Sequence, residues 1–392
     1  MRIVSVYNRY LNRGGEDEVF ESEAKLLTQR GCDVHLVTEQ TQVPKNISHQ
    51  IKMAIDCVWS SSWYENFRAL LERIRPDIVH VHNVFPVISP AVYYACQRVG
   101  VPVVQTLHNY RLLCPASTFY RNDKVCEECV NHSLWRGVKH GCFQDSRVKT
   151  AVIAAMLQVH RNKNTWQQKI DRYIALSEFA RSKFVDSGLP VEKIRVKPNF
   201  IDLDPGQPSS QRREYAIFVG RLVNWKGTAT LISAWKSLCG SIPLMIVGDG
   251  PDRPQIETSI AQGILPGVVC KGRLTRNETI AAIRAARFLV FPSQWYEGFP
   301  MTIAEAFACS VPVICSGLGS MQEIVSDGRT GLHFRAGDSE DLASKVRWAW
   351  EHSEEMEIMG QQARAEFEAK YTASRNYEML IDIYQEAIAA HA

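Results

Sequence analysis

Short apolar runs rich in Val and Ile recur at residues 3–7, 34–38, 77–82 and 101–107, and again at 216–219, 244–247, 268–270, 288–291 and 311–315. Runs of this kind, apolar on both faces, suit strands of a parallel sheet covered by helices. Segments with helical spacing lie between them. Residues 16–30 place Val19, Ala24 and Leu27 on one side and stop at Gly31, and residues 231–239 are the counterpart in the second series. Strand and helix in alternation predict an α/β chain with doubly wound sheets. The polar stretch 202–210, with Pro205 and Pro208, separates the two series and reads as a linker. A chain of 392 residues is long for one domain. The expectation is two doubly wound, Rossmann-like domains, 1–200 and 201–375, facing one another across a cleft, with ligands beyond the carboxyl ends of the strands.

Several classes of function are excluded at this stage. The formal charge is only +3 and no block of Lys and Arg stands out, so nucleic acid is not an expected partner. No apolar run approaches the roughly 20 residues of a membrane span. The first residues, Met1 to Tyr7, read as a core strand rather than a signal peptide. The eleven Cys are scattered and odd in number, with Cys270, Cys309 and Cys315 in apolar segments, which favours reduced thiols and a cytoplasmic setting.

Candidate chemistry sits at the predicted strand ends. After the run 288–291 the chain turns through Pro292-Ser293-Gln294-Trp295-Tyr296-Glu297-Gly298-Phe299-Pro300 into a helix that begins near Met301 and Thr302. A helix start leaves backbone N–H groups unpaired and suits an anion. The flanking carboxylates, Glu297 and Glu305, suit sugar hydroxyls instead. An ordinary strand–loop–helix joint is the competing reading. Gly14 and Gly15 follow the first strand, where missing Cβ atoms let a phosphate approach the backbone, though a plain turn reads the same way. Arg221 and Lys226, in Gly220-Arg221-Leu222-Val223-Asn224-Trp225-Lys226-Gly227, place two cations where they can neutralise a diphosphate; a solvated basic loop is the alternative. Gly248 and the turn Lys271-Gly272-Arg273-Leu274 are further close-approach positions.

Taken in order, these pieces resemble retaining glycosyltransferases of family 4, which have the GT-B fold. The matching stretches are Pro198-Asn199-Phe200-Ile201-Asp202, Gly220-Arg221-Leu222 with Lys226-Gly227, Gly248-Asp249-Gly250-Pro251, Gly272-Arg273-Leu274 and the Glu-x7-Glu motif from Glu297 to Glu305, with Gly14-Gly15-Glu16 and His108-Asn109 nearer the start. The resemblance implies that Arg221 and Lys226 hold the donor diphosphate, helped by backbone N–H groups of Gly15, Met301 and Thr302. It implies that Glu305 takes the ribose hydroxyls, that Glu297 with the backbone of Gly298 and Phe299 takes the transferred sugar, that Arg273 and Leu274 meet the base, and that His108 lies beside the anomeric carbon. It also implies that the last helix, 376–392, returns to the first domain.

The activity so implied is transfer of a sugar from a UDP- or GDP-sugar to a glycan or lipid-linked acceptor, with retention and without a catalytic metal. The Asp202-Leu203-Asp204 element lies in the linker rather than at a strand end, and fixed cations can stabilise the departing phosphate. A sugar-nucleotide epimerase and a non-catalytic carbohydrate-binding relative are the alternatives. Two further features stand outside this scheme. Cys114, Cys126, Cys129 and Cys142 fall in a loop-like, polar insertion, 112–143, and Cys126-Glu127-Glu128-Cys129 has the spacing of half a structural zinc site; His132 and His140 are substitutes and paired disulfides the rival. The basic stretch 147–172 reads as a helix that faces the core or lies on an anionic membrane.

Overall fold

Every strand run read from the sequence is a strand in the computed structural model, which describes residues 1–11, 13–206 and 215–391. Asn12, in the loop after the first strand, and residues 207–210 of the expected linker lie outside the described residues. The chain divides into two compact units. The first is Met1–Phe119, Cys126–Asn199 and Ser374–Ala392, and the second is Tyr120–Val125 and Phe200–Ala373.

The strands of the first half are β1 (Arg2–Arg9), β2 (Asp33–Gln40), β3 (Ile78–Asn83), β4 (Val103–Leu107), a small hairpin of β5 (Tyr120–Arg121) and β6 (Lys124–Val125), β7 (Arg172–Ala175) and β8 (Ile194–Val196). All except the hairpin form one parallel sheet in the order β2-β1-β3-β4-β7-β8. Its interior strands are apolar on both faces, as expected, with Ile3, Val4, Val6, Ile78, Val79 and Val104 buried. Residues 34–38 depart from that expectation. They lie in β2, an edge strand whose side chains are largely half-exposed or exposed, and Leu36 is open to solvent.

Strands β9 (Ala216–Val219), β10 (Leu244–Val247), β11 (Val268–Gly272), β12 (Phe288–Phe291), β13 (Val313–Ser316) and β14 (Gly331–Phe334) make the sheet of the second unit, also parallel, in the order β11-β10-β9-β12-β13-β14. Phe218, Leu231, Trp235, Ile246, Phe288, Val290 and Ile314 share one core beneath it. Strand order runs outward from β9 in one direction through β10 and β11, then resumes on its other side with β12. The loops after β9 and β12 therefore leave the sheet side by side, the switch point at which doubly wound sheets bind ligands.

Two sequence expectations are corrected here. The insertion 112–143 is not a polar loop without a core: Leu112, Leu113, Phe119 and Leu134 are buried, Tyr110 stacks on Phe184, and Trp135–His140 is a helix. The stretch 147–172 is not one helix. Arg147–Asn162 ends where Asn164 takes a left-handed conformation (φ 50°), and Arg172 already opens β7. Its Ile153, Met156 and Leu157 are buried, so the helix faces the core.

Candidate active site

In the second unit the loop after β9 is forced against the loop after β12 by one glycine. Gly227 has φ +79°, and a Cβ there would stand 1.9 Å from Pro292 O. The backbone N–H of Gln294 donates to Trp225 O at 2.9 Å, and Ser293 Oγ reaches the same carbonyl at 3.3 Å. This seam sets Lys226, at the end of the turn Asn224–Lys226, beside Glu297. Lys226 Nζ donates to Glu297 Oε1 at 2.7 Å, and the same oxygen accepts from Ser293 Oγ at 2.7 Å and Trp295 Nε1 at 2.6 Å. The Glu297 side chain is buried, whereas Lys226 is partly open. The sequence reading gave these residues to different parts of the donor. The structure joins them in one ion pair.

The other residues expected at the donor site in the second unit lie at or near its strand ends. Arg221 is exposed just past β9. The helix Met301–Ala308 starts after Pro300 with no side chain capping it, so the N–H groups of Met301 and Thr302 have no partner within the helix. Glu305 lies half-buried on the same helix, Gly298 is half-buried and Phe299 is buried. Gly248, φ +146°, lies so close to Gly220 that a Cβ would fall 1.8 Å from its carbonyl oxygen. Arg273 is exposed and Leu274 half-buried immediately after β11.

In the first unit, Gly14 and Gly15 open the helix Gly15–Gln29 after β1, and a Cβ at either would meet nothing within 4 Å. The packing of the fold therefore does not itself require glycine at either position. Three acids, Glu16, Asp17 and Glu18, occupy the same helical turn. Asn109 Nδ2 donates to Glu16 Oε1 at 2.8 Å and so ties the loop after β4 to this helix start. His108 follows β4, is buried, and its Nε2 lies 3.0 Å from His82 Nδ1. Burial, then the neighbouring His82, push the His108 pKa well below the usual histidine range.

Two family profiles match adjoining parts of the chain: "Glycosyltransferase Family 4" over residues 13–205 and "Glycosyl transferases group 1" over residues 201–366. The chain belongs to glycosyltransferase family 4. It is 28% identical to the D-rhamnosyltransferase WbpZ of Pseudomonas aeruginosa across 95% of this chain and 93% of that one. An uncharacterised glycosyltransferase of Methanocaldococcus jannaschii is 31% identical over 44% of this chain, which spans about half (48%) of that relative's length. Anabaena HepE, solved in complex with UDP, superposes with a TM-score of 0.71 at 16% identity, covering 98% of this chain and all (100%) of that one, and has also been solved with UDP-glucose. The fold is GT-B.

This family-4 glycosyltransferase carries functional candidates that the sequence reading missed. Ser293 and Trp295 orient Glu297, and Ser320 Oγ donates to Glu297 O at 2.7 Å. Glu23, His80, His82 and Lys197 form a buried cluster behind His108. Alternate residues on a strand share a face, so His80-Val81-His82 in β3 held a readable signal for two of them. Among the described residues, Glu23, His80 and His82 are also the group of three donors that comes within 4.8 Å. The four clustered cysteines do not approach one another that closely as a set. They do gather around Cys129, whose thiol is pushed up to about 11 by burial and by Cys114, Cys142 and Cys126.

Proposed function

We propose that this glycosyltransferase moves a sugar from a UDP- or GDP-sugar to a glycan or lipid-linked acceptor, with retention of anomeric configuration. The observation that carries the reading is the Lys226–Glu297 pair at the β9–β12 switch point, next to an uncapped helix start. When the bond from the anomeric carbon to the β-phosphate oxygen breaks, negative charge grows on the phosphate. Lys226, Arg221 and the N–H groups of Met301 and Thr302 are the fixed donors for that charge, a role preorganised dipoles fill without reorganisation. Glu297 accepts from hydroxyls of the transferred sugar and Glu305 from the ribose, while Arg273 and Leu274 lie at the base. Attack from the face the phosphate leaves lets a phosphate oxygen take the acceptor's proton, so no protein nucleophile is needed. His108 is assigned to the transferred sugar and the N–H of Gly15 to the diphosphate. HepE in complex with UDP and with UDP-glucose supports a uridine donor.

A lipid-linked acceptor and peripheral membrane contact are supported by the helix Ile47–Val58. Ile47, Ile51 and Ile55 are 74%, 57% and 63% exposed at helical spacing, with exposed Lys45 and Lys52 beside them. The helix packs on Arg147–Asn162, which adds exposed Arg147, Val148 and Lys149. Apolar residues flanked by cations suit an anionic bilayer. No described helix is long and apolar enough to cross one. A panel of labelled UDP- and GDP-sugars, incubated with soluble glycans or with anionic vesicles carrying lipid-linked oligosaccharide, tests the whole reading. Product of one donor class is expected, in the lipid phase; hydrolysis of no donor would remove the transferase proposal, and product with soluble glycan alone would remove the membrane one.

The second part of the proposal is a structural zinc ion held by Cys114, Cys126, Cys129 and Cys142. Four thiolates fit zinc in donor type, and the buried segments around them, Leu112 to Leu134, give the ion a fold to hold. Elemental analysis of protein purified under reducing conditions is expected to find about one zinc per chain, reduced to background in Cys129→Ser. Metal-free protein with an unchanged melting temperature excludes the site.

A further inference from the structure

Behind His108 the first unit buries a cluster that sugar transfer, as proposed above, does not use. It draws on Glu23 from the helix Gly15–Gln29, His80 and His82 from β3, Thr106 from β4, Lys197 just past β8 and Tyr384 from the helix Ala373–His391, with Tyr7 of β1 edge-on to the His82 ring at 6.5 Å. Lys197 Nζ lies 3.0 Å from Glu23 Oε2, with both residues buried. Glu23 Oε1 lies 3.3 Å from His82 Nε2 and 3.2 Å from His80 Nδ1, contacts too oblique to be well-formed hydrogen bonds. His80 is engaged on both sides, by Tyr384 OH at 2.7 Å and Thr106 Oγ1 at 2.8 Å. His82 Nδ1 then meets His108 Nε2 at 3.0 Å, the two rings stacked 5.2 Å apart.

Charge and hydrogen count fix the protons in this chain. Burial alone would keep Glu23 protonated, but Lys197 and the two imidazoles hold its carboxyl well below the usual range. An ionised carboxylate can only accept, so the His82 nitrogen that faces it, Nε2, carries the hydrogen. One ammonium already balances Glu23, and a second buried cation at His82 would stand uncompensated. Neutral His82 therefore has a bare Nδ1, which can only accept from His108 Nε2–H. His108 is left with its own lone pair at Nδ1, and no described residue donates to that atom.

We infer that His82, oriented by Glu23 and Lys197, is a positioning residue that locks His108 as its Nε2–H tautomer and so presents Nδ1 as a hydrogen-bond acceptor for a sugar hydroxyl. The inference rests on the role proposed for His108, and it makes the site selective for a donor bearing a hydroxyl at that position over its deoxy analogue. A metal on Glu23, His80 and His82 is the competing use of the same atoms. It would place a dication beside the Lys197 ammonium in a closed interior and displace Tyr384 from His80. The charge balance favours the relay.

The test uses full-length protein with ring nitrogen-15 histidine, the His108 signals assigned by their loss in His108→Gln. Long-range proton–nitrogen spectra are expected to show His108 protonated at Nε2 and bare at Nδ1 from pH 8 to pH 6. In His82→Leu the tautomers should mix. In His82→Asn, whose Oδ1 can stand where Nδ1 stood, the Nε2–H form should persist. Turnover should fall about 10- to 100-fold in His82→Leu at unchanged donor KM, by analogy with the loss of a residue that orients a metal-ligating histidine, and stay within about threefold in His82→Asn. Wild-type His108 protonated at Nδ1, an unchanged tautomer in His82→Leu, or a stoichiometric metal lost in Glu23→Gln each overturns the inference. If His108→Gln keeps full turnover while the spectra come out as expected, the relay stands and only the role of His108 in transfer falls.

Discussion

Lys226→Ala should lower donor turnover about 10³-fold, and Glu297→Ala should do nearly the same, with the fold of both variants intact. In the proposed mechanism Lys226 is a cation that stabilises the charge growing on the leaving phosphate. Removing one preorganised donor of that kind costs about 2.7–4 kcal/mol in the transition state, or roughly 10²–10³ in kcat. Glu297 contributes through the sugar and also through Lys226. Its Oε1 accepts from Nζ at 2.7 Å, so without the carboxylate the ammonium loses the partner that aims it. The two effects therefore should not add: the double variant is expected within about tenfold of either single one, since residues that act as a unit are strongly non-additive. The fold survives because Glu297 keeps Ser293 and Trp295 as donors when Lys226 is lost, and because Lys226 is partly open to water when Glu297 is lost. Steady-state assays of donor turnover with a circular-dichroism melt decide the matter; near-normal turnover in either properly folded variant would sink the assignment.

Lys197→Met is expected to destabilise the first unit by about 3–5 kcal/mol, the cost of leaving a buried charge without its partner. Glu23 and Lys197 are both buried, so water cannot replace the lost ammonium. Combining Lys197→Met with Glu23→Gln, which removes both charges, should restore most of the loss. Amide hydrogen exchange along β1, β3 and β4 reads the effect in the first unit alone, which a single melting temperature of a two-unit chain does not. The same cluster sets a pH dependence. Burial lowers the His80 pKa to about 4 from 6.5, and burial followed by the neighbouring His82 lowers that of His108 well below 6.5. Below pH 6.5 the unfolded chain takes up protons that the folded chain refuses, so stability is full above about pH 6.5 and falls as pH drops toward 4. Glu23, depressed in the folded state, adds to the loss below its unfolded value of 4.5. Protection that rose on acidification would contradict this account.

The positions of the site residues were legible in the sequence, and their partnerships were not. Val- and Ile-rich runs marked the central strands because those strands are covered on both faces. The strands β7, β8 and β14 went unread because Arg172, Arg195 and His333 interrupt runs that are otherwise only two or three apolar residues long. The helix Ile47–Val58 was missed although its apolar stripe is regular, because that stripe faces outward and borders no strand run. Glycine-rich turns at strand ends located Arg221, Lys226 and Glu297. Yet Lys226 and Glu297 are 71 residues apart, and only the close approach of Gly227 to Pro292 brings them together. Lys197 and Glu23 are separated by 174 residues and meet only once the sheet from β1 to β8 has brought their elements together.

The first unit is sewn from pieces at both extremes of the chain. Tyr384, which contacts His80, and Asn376, whose Nδ2 donates to Pro198 O at 3.1 Å, are supplied by the closing helix. A nascent chain emerging from the ribosome holds every strand of the second sheet before that helix is made. The second unit can thus fold as soon as it emerges, as domains generally do during synthesis. The first must wait, its histidine cluster short of one wall, until Asn376 and Tyr384 clear the exit tunnel. Of the two units, the one whose sheet is translated earlier is completed later.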